Sequence, residues 1–136
     1  MREILFKAKR KNNGEWVEGY YTADPDLDMH FIFGWSYYAC ENGLEREPFE
    51  YEINPDTLCQ YTGLKDRNGI RIWENDIIKH EQSDTIGTVK WYQEDYTGWC
   101  VDDMVIDEQQ FTDEMWDECK VIGNIFDNAD LLEEDK

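Results

Sequence analysis

Polar and apolar positions alternate through the first part of the chain. The segments at about residues 3–10 and 15–22 are rich in aromatic and alternating polar residues, which is the pattern of half-buried strands. Between them lies Asn13-Gly14, a two-residue signal for a tight turn that reverses the chain. The pattern therefore predicts a β-hairpin at the start of the chain.

The stretch FIFGWSYYA follows the turn-rich ADPDLDMH and has a large aromatic residue at every second position. Successive side chains of a strand point to opposite sides, so we expect four residues to form one buried face: Phe31, Phe33, Trp35 and Tyr37. Asn42-Gly43 predicts a second hairpin, and Pro48 indicates that the following strand lies at a sheet edge. Residues 1–57 are thus predicted to form an N-terminal β-hairpin region.

From about residue 58, short strand-like segments recur between Gly, Asn and Asp residues. This spacing predicts an SH3-like β-barrel over residues 58–136. Within it we expect a short helix in TDEMWDECK, with Thr112 as its N-cap. A last strand in VIGNIF and a final helical turn in DNADLLEEDK should follow. We expect five residues to build its core: Tyr61, Trp73, Trp91, Trp99 and Ile122. The chain is therefore predicted to be mainly β with minor α content, either as two regions or as one continuous domain.

Composition limits what the chain does. Its 136 residues include six Trp, eight Tyr and six Phe, enough apolar surface for one folded core. The net charge is -19, and residues 94–136 alone carry fifteen acids against Lys120 and Lys136. Such a surface repels phosphate backbones, so we expect no nucleic-acid binding. No apolar run is long enough for a bilayer and no secretory signal begins the chain, so we expect a cytoplasmic protein without membrane contact.

Residues that usually carry chemistry are scattered along the chain. The four cysteines, at positions 40, 59, 100 and 119, contain no Cys-x-x-Cys pair, and nothing in the spacing pairs His30 or His80 with any of them. The sequence also has no Gly-x-Ser-x-Gly elbow, no His-Glu-x-x-His pair and no phosphate loop. We therefore expect no enzyme, no catalytic residue, no cofactor and no metal, with the thiols reduced.

Two charged clusters resemble binding sites only in part. Asp residues at alternate positions of 24–28 begin like a calcium loop, but Met29 stands where such a loop needs Gly, and Trp35 where it needs a bidentate Glu. The basic residues of segment 7–11 lie just before a turn. We expect a solvated turn in the first case and a solvated strand face in the second.

The stretch QYTGLKDRNG poses a choice between a loop that holds a ligand and a corner of the β-structure. Asp66, Asn68 and Gly69 suit a tight turn with a positive φ near its end. The backbone N–H groups of such a turn, with Lys65 and Arg67, could hold an anion, but the loop is poor in Gly and no helix follows. We expect the corner.

The long stretch QYTGLKDRNGIRIWENDIIK, followed by GTVKW and VIGNIFDNADLL and preceded by GEWVEGYY, resembles the YopX family of phage and prophage proteins. The resemblance implies a mainly β protein encoded by a phage or prophage, without an established biochemical activity. Its motif falls on fourteen residues with a structural or binding role: Gln60, Tyr61, Thr62, Gly63, Leu64, Asp66, Gly69, Glu74, Asn75, Asp76, Gly123, Asn124, Leu131 and Leu132.

Two positions depart from the family pattern. Asn75 stands where the family usually has Gly, and since Asn tolerates the left-handed region best among the other residues, we expect a positive φ there. Ala129 stands where the family commonly has Pro, which leaves the rigidity of that last turn open.

The sequence favours two functions of different classes. The first is a small β-rich module that binds a host or phage protein, with a homo-oligomer as a further possibility. The alternative is an acidic mimic of nucleic acid that inhibits a host DNA-binding or defence protein, as the charge of -19 suggests.

Overall fold

A computed structural model describes residues 4–81, 84–92, 98–102 and 118–133. Strands dominate these ranges, joined by a single 3-10 turn at Pro55–Thr57 and one helical turn, α1 (Asp130–Glu133). The strands are β1 (Phe6–Lys9), β2 (Trp16–Asp24), β3 (Met29–Cys40), β4 (Gly43–Glu52), β5 (Cys59–Lys65), β6 (Arg71–Trp73), β7 (Asp76–His80), β8 (Thr85–Tyr92), β9 (Gly98–Asp102) and β10 (Cys119–Asn124). The prediction of a mainly β chain is confirmed.

The chain divides into two compact units, and the first ends at Gln60. Its strands pair antiparallel in the order β4-β3-β2-β1, and the first residues of β5 pair with β1, Gln60 lying opposite Phe6. Three fully buried residues, Ala8, Ile32 and Ile53, form its core. Partly buried side chains pack around them: Phe6, Val17, Tyr21, Phe49 and Leu58.

Both predicted hairpins of the first unit are present. In the first, the Arg10 amide donates to the Glu15 carbonyl at 2.8 Å, and Gly14 takes a φ of 74° that a side chain would disfavour. In the second, Cys40 lies opposite Gly43, which leaves Glu41 and Asn42 as the turn. Strand β4, which carries Pro48, ends the order of strands, as predicted for an edge.

The prediction of a buried aromatic face on β3 is wrong. Ile32, on the opposite side of the strand, is fully buried, whereas Phe33, Trp35 and Tyr37 are 38%, 45% and 62% exposed. Phe31, nearer the start of the strand, is half-buried. Alternation shows which residues share a side, but the core lies on the side where Ile32 meets Ala8 and Ile53.

The second unit begins at Tyr61. It contains the β5–β6 hairpin and a four-stranded antiparallel sheet in the order β10-β7-β8-β9. Four fully buried residues form its core, Ile72, Ile78, Val89 and Cys119. Leu64, Trp99, Val101 and Val121 pack against it.

The four-stranded sheet is open over the described residues, because β9 and β10 are its two edges and do not pair with each other. The strand spacing predicts a closed barrel, in which every strand has two neighbours. The described residues form no such barrel. The predicted last strand and final helical turn are confirmed by β10 and α1. The predicted helix begins at Thr112, outside the described residues, and its last residues, Cys119 and Lys120, lie in β10.

The five predicted core residues divide into three groups. Tyr61 and Trp73 are buried, with ring centroids 5.4 Å apart, as predicted. Trp99 and Ile122 are half-buried. Trp91 is 39% exposed, so its assignment to the core is wrong. It lies near the end of β8, two residues beyond buried Val89, and its ring contacts the Trp99 ring edge-on at 5.0 Å.

No helix within the described ranges is long and apolar enough to cross a membrane.

Candidate functional site

The turn from Asp66 to Ile70 is a corner whose backbone donors are all occupied. The Asp66 amide donates to the Ile70 carbonyl at 2.8 Å, and the Gly69 amide donates back to the Asp66 carbonyl at 3.0 Å. The Arg67 amide donates to the Cys119 carbonyl at 3.0 Å, and the Asn68 amide to the Asp66 carboxylate at 2.8 Å. An anion would have to displace one of these bonds, so the corner hypothesis fits the geometry.

Asp66 is the centre of this corner. Its side chain is only 4% exposed, and its Oδ1 accepts from the Asn68 and Ile70 amides at 2.8 and 2.9 Å. Its Oδ2 accepts from the Val121 amide at 2.9 Å. A buried carboxylate needs such donors to offset its desolvation. Asp66 therefore fastens the β5–β6 turn to β10.

The motif residues before the corner serve the same hairpin. Thr62 is buried, and its hydroxyl donates to the Ile72 carbonyl at 2.7 Å while accepting from the Leu64 amide at 3.1 Å. Gly63 has a φ of 85°, in the region that favours glycine. Lys65 lies opposite Arg71 after a shift in register that follows Tyr61. Thr62 and Gly63 thus lie in the irregular part of the β5–β6 pair.

The turn between β6 and β7 contains Glu74, Asn75 and Asp76. Asn75 has a φ of 71°, which confirms the expected left-handed conformation, and its side-chain oxygen accepts from Lys90 Nζ at 2.9 Å. Asp76 is 3% exposed, and its Oδ2 accepts from the Trp73 amide at 2.8 Å. Glu74 is half-buried. The short side chains of Asn75 and Asp76 hold this turn as Asp66 holds the previous one.

The last motif residues form the turn between β10 and α1. Asn124 accepts from the Phe126 amide at 2.9 Å, and Asn128 Oδ1 accepts from the Asn124 amide at 3.1 Å. A Cβ atom on Gly123 would lie 2.5 Å from that same Asn128 oxygen, so only Gly fits there. The bond to Asn128 thus holds this turn, which Ala129 follows. Leu131 and Leu132 follow in α1, both half-buried.

The motif residues therefore occupy three separate turns and do not converge on one cleft. The side-chain oxygens of Thr62, Asp66, Asp76 and Asn124 accept from backbone amides of this chain, which is how short polar side chains stabilise turns.

Cys119 and His80 lack the properties of a catalytic pair. Cys119 lies directly opposite His80 in the β10–β7 pair, a proximity the sequence spacing did not reveal. Burial, with the charges of Glu118 and Asp66, raises the pKa of the Cys119 thiol to about 12. A nucleophilic cysteine needs the opposite shift, because the thiolate is the reactive form. His80 instead contacts Glu118 across 2.8 Å.

Metal-ligating side chains do not gather in the part of the chain that the structure describes, where no group of three His, Cys, Asp or Glu could hold an ion. The three aspartates that begin like a calcium loop form a turn. Asp24 Oδ1 accepts from the Asp26 and Leu27 amides at 3.0 and 3.3 Å.

The basic segment 7–11 is balanced by acids in the first unit. Lys9, Arg10 and Lys11 line a cleft together with Asp28 and Glu52. Lys11 Nζ pairs with Glu52 at 3.1 Å, and the Arg10 guanidinium stacks on the Tyr51 ring at 3.9 Å. Three basic and two acidic side chains line this cleft, a formal net charge of +1, so most of its positive charge is offset by the acids.

The exposed aromatic residues of the first unit form a surface that the sequence pattern assigned to the core. We define the aromatic face as Tyr20, Phe33, Trp35 and Tyr37, which lie on one side of β2 and β3. Tyr20 lies opposite Phe33, with ring centroids 5.7 Å apart, and is 54% exposed. Four large rings thus lie on adjacent strands and reach solvent.

Strand β4 completes the surroundings of the aromatic face. Pro48 lies opposite Trp35 and Glu50 opposite Phe33, and the four residues line a shallow groove. The Arg46 guanidinium stacks on the Trp35 ring, 4.0 Å from its centroid. The groove therefore has aromatic walls, one stacked cation and an acidic margin.

One signal in the sequence could have located this face. Gly34, on the other side of β3, has no side chain, and a Cβ atom there would lie 2.9 Å from the Phe49 ring. Phe49 belongs to the partly buried shell of the core. A small residue that makes room for a large one indicates the packed side of a strand, and this places the aromatic side outside.

Comparisons with known proteins agree with the fold. A family model described as YopX protein matches residues 5–133. The crystal structure of protein EF1440 from Enterococcus faecalis is similar to this chain, with 22% sequence identity, a TM-score of 0.62, and coverage of 97% of this chain and 99% of that one. That likeness shows a shared fold. No curated protein matches the chain.

Proposed function

The chain belongs to the YopX family, and from this membership and the geometry of the first unit we propose that it is a protein-interaction module whose binding surface is the aromatic face. The motif that identifies the family holds turns of the second unit. The aromatic face, by contrast, has no evident part in the core of the first unit. Binding is the function that its exposure supports.

The observation that carries the proposal is the grouping of exposed rings on two adjacent strands. Trp and Tyr are among the residues that most often dominate the binding energy of protein interfaces, and Trp35 and Tyr37 share one side of β3 here. Neighbouring strands fix their backbones, so little ordering is needed when a partner binds. The face is thus a preformed surface of the kind that protein partners use.

The setting of the module follows the family resemblance. We place it in the cytoplasm of a bacterial host of a phage or prophage, with a host or phage protein as the partner. The meander β7-β8-β9 and the return of β10 beside β7 support an SH3-like arrangement of the second unit. In this proposal the second unit is a scaffold, and the first unit carries the contact.

Capture of partners with matched variants tests the proposal. The wild-type protein, a Trp35→Ser/Tyr37→Ser variant and a Tyr38→Ser control are immobilised, and bound proteins from a bacterial lysate are quantified by mass spectrometry. Tyr38 is 44% exposed on the other side of the same strand. We expect at least one partner that the control retains and the double variant loses. If every captured protein is retained equally by all three, the aromatic face is not the binding surface.

The acidic mimic of nucleic acid remains the competing function, motivated by the charge of -19. A mimic must bind a DNA-binding protein through carboxylates, so duplex DNA and moderate salt would displace its target. We expect the captured partner to resist competition by duplex DNA. If duplex DNA releases the captured partner, and the Trp35→Ser/Tyr37→Ser variant still binds it, the protein is the mimic instead.

A further inference from the structure

We infer that the aromatic face binds a cationic segment of its partner, an extended stretch with Arg or Lys at alternate positions whose charged groups stack on the exposed rings. This inference rests on the proposed function and adds the chemistry of the partner. Three features of the first unit support it: the use of rings by the chain's own cations, the acids beside the face, and the spacing of the rings.

Rings of this protein already bind cations. Lys7 and Lys9 lie over the Trp16 ring at 4.7 and 5.4 Å, and Arg10 lies over Tyr51 at 3.9 Å. On the aromatic face itself, Arg46 covers Trp35. Such contacts form because the face of an aromatic ring carries partial negative charge.

The remaining rings of the face are not covered in this way. Within the described residues, no basic side chain lies over Tyr20, Phe33 or Tyr37. The contact between Arg46 and Trp35 thus shows how a cation binds on this face. The rings of Tyr20, Phe33 and Tyr37 are the open positions for a partner's cations.

The acids beside the face favour a positive partner. Glu50 lies opposite Phe33 on β4 and so points to the same side as the rings. Glu18, two residues before Tyr20 on β2, points to that side as well and lies opposite Lys7 on β1, so Glu50 is the acid that a partner would meet. Both are exposed, and the whole chain carries a net charge of -19. The field of such a surface attracts cations and repels anions. A strand of RNA, which could also stack on rings, would bring phosphates against these acids.

The edge of the sheet is a poorer docking site than its face. Pro48 lies within the uninterrupted β3–β4 ladder, so the N–H that it lacks belongs to the outer side of β4. An added strand would find no donor there, and Glu45 and Glu47 add charge to the same edge. These features are typical of an edge that resists pairing with another strand. The partner segment therefore lies across the rings.

The spacing of the rings fits an extended segment. Phe33, Trp35 and Tyr37 occupy every second position of β3, which places them about 6.8 Å apart. Side chains on one side of any extended peptide recur at the same interval. A segment with Arg at alternate positions can thus place guanidinium groups over Phe33 and Tyr37, the open rings on either side of Trp35, which Arg46 covers.

Synthetic peptides test the inference directly. The probe is a ten-residue peptide of alternating Arg and Leu, and the control peptide replaces each Arg with neutral citrulline. Binding to the full chain is measured by calorimetry at 50 and 200 mM salt, and the site is located by chemical-shift changes. We expect the Arg peptide to bind at the aromatic face at least ten times more tightly than the citrulline peptide. Equal binding of both peptides would overturn the inference.

Matched variants separate the face from the general charge of the protein. Tyr37→Ala should weaken binding of the Arg peptide about three- to fivefold, since one ring is lost. Tyr38→Ala, on the other side of the same strand, should not. Glu50→Gln should likewise weaken binding more than Glu47→Gln. If Tyr38→Ala and Glu47→Gln have effects as large, the peptide is bound by charge alone and the inference is wrong.

Substitution of Arg46 should strengthen binding of the Arg peptide rather than weaken it. Arg46→Ala uncovers the Trp35 ring, so we expect the Arg peptide to bind about threefold more tightly. Lys79→Ala, which removes the same charge from the second unit, should change binding by less. Weaker binding after Arg46→Ala would contradict the inference.

The captured partner distinguishes this inference from the proposed function. A partner that is lost with Trp35→Ser/Tyr37→Ser but is indifferent to Glu50→Gln and to salt would support the module and refute the cationic segment. A uridine oligonucleotide that shifts resonances of the aromatic face would refute a protein segment as its occupant. If neither peptide nor partner depends on the face, both proposals fail.

Discussion

The two units differ in which kinds of side chain they expose and which they bury. In the first unit, large rings that could have filled a core lie exposed on the aromatic face. In the second unit, carboxylates that could have lain in solvent, Asp66 and Asp76, are buried and bonded to backbone amides. The recognisable motif thus marks the positions at which the chain must turn. The aromatic face, which we propose as the binding surface, lies in the unit with the less distinctive sequence.

The largest effect in this comparison is expected at Asp66. Asp66→Ala removes the acceptor of three backbone amides, and we expect the free energy of unfolding to fall by about 3–5 kcal/mol. Asp56→Ala, at an exposed carboxylate of the first unit, should cost less than about 0.5 kcal/mol. Urea denaturation of both variants measures the difference. A loss below about 1 kcal/mol at Asp66 would mean that the corner does not depend on its carboxylate.

The next effect is expected at Gly123. An added methyl group would lie 2.5 Å from Asn128 Oδ1, so Gly123→Ala should cost about 2 kcal/mol through displacement of that side chain and its bond to the Asn124 amide. Asn128→Gly alone should be destabilising as well, but the double variant should lose less than the sum of the two. If the losses of the two single variants add up to the loss of the double variant, the strain does not arise from the contact between residues 123 and 128.

The turn at Asn75 should show a smaller effect. Asn75→Val places a β-branched residue at a φ of 71° and should cost about 1–2 kcal/mol. Asn75→Gly relieves the backbone but removes the bond from Lys90, so we expect it to be nearly neutral. Melting temperatures report both changes. Equal values for Val and Gly would show that the left-handed conformation is not costly here.

The smallest effect on stability is expected on the aromatic face. Tyr37 is 62% exposed, so Tyr37→Ala should change the free energy of unfolding by less than about 0.5 kcal/mol while it weakens binding. Ile32→Val, which removes a single methyl group from the core side of the same strand, should cost about 0.5–1.5 kcal/mol. If Tyr37→Ala lowers the free energy of unfolding more than Ile32→Val does, the aromatic face has a structural role.

Local features of the fold could be predicted from the sequence, because a turn is determined by the residues within it. The chain reverses at Asn13-Gly14 and, through Glu41 and Asn42, directly before Gly43, and Asn75 takes the expected left-handed φ. The buried side of β3 could not be predicted from its alternation. That choice depends on Ala8 and Ile53, which meet Ile32 only after distant strands have paired.

The candidate site escaped prediction for the same reason. Large aromatic residues are usually buried, so a row of them on a strand indicates a core, and the exposed aromatic face is an exception to that rule. The fourteen motif residues were identifiable because they form a recognisable pattern. Some of their bonds are local, such as that from the Asn68 amide to Asp66, but others join remote groups such as the Val121 amide, and sequence spacing does not reveal those.

The bond between Asp66 and Val121 also bears on the order in which the chain folds. It joins residues 55 positions apart, so during synthesis the carboxylate emerges from the ribosome long before its third donor exists. Strand β7 likewise waits for β10 as its neighbour. The first unit, which ends at Gln60, can form its hairpins earlier. We therefore expect the second unit to acquire native structure late, and pulsed hydrogen exchange at the Val121 amide would follow that step during refolding.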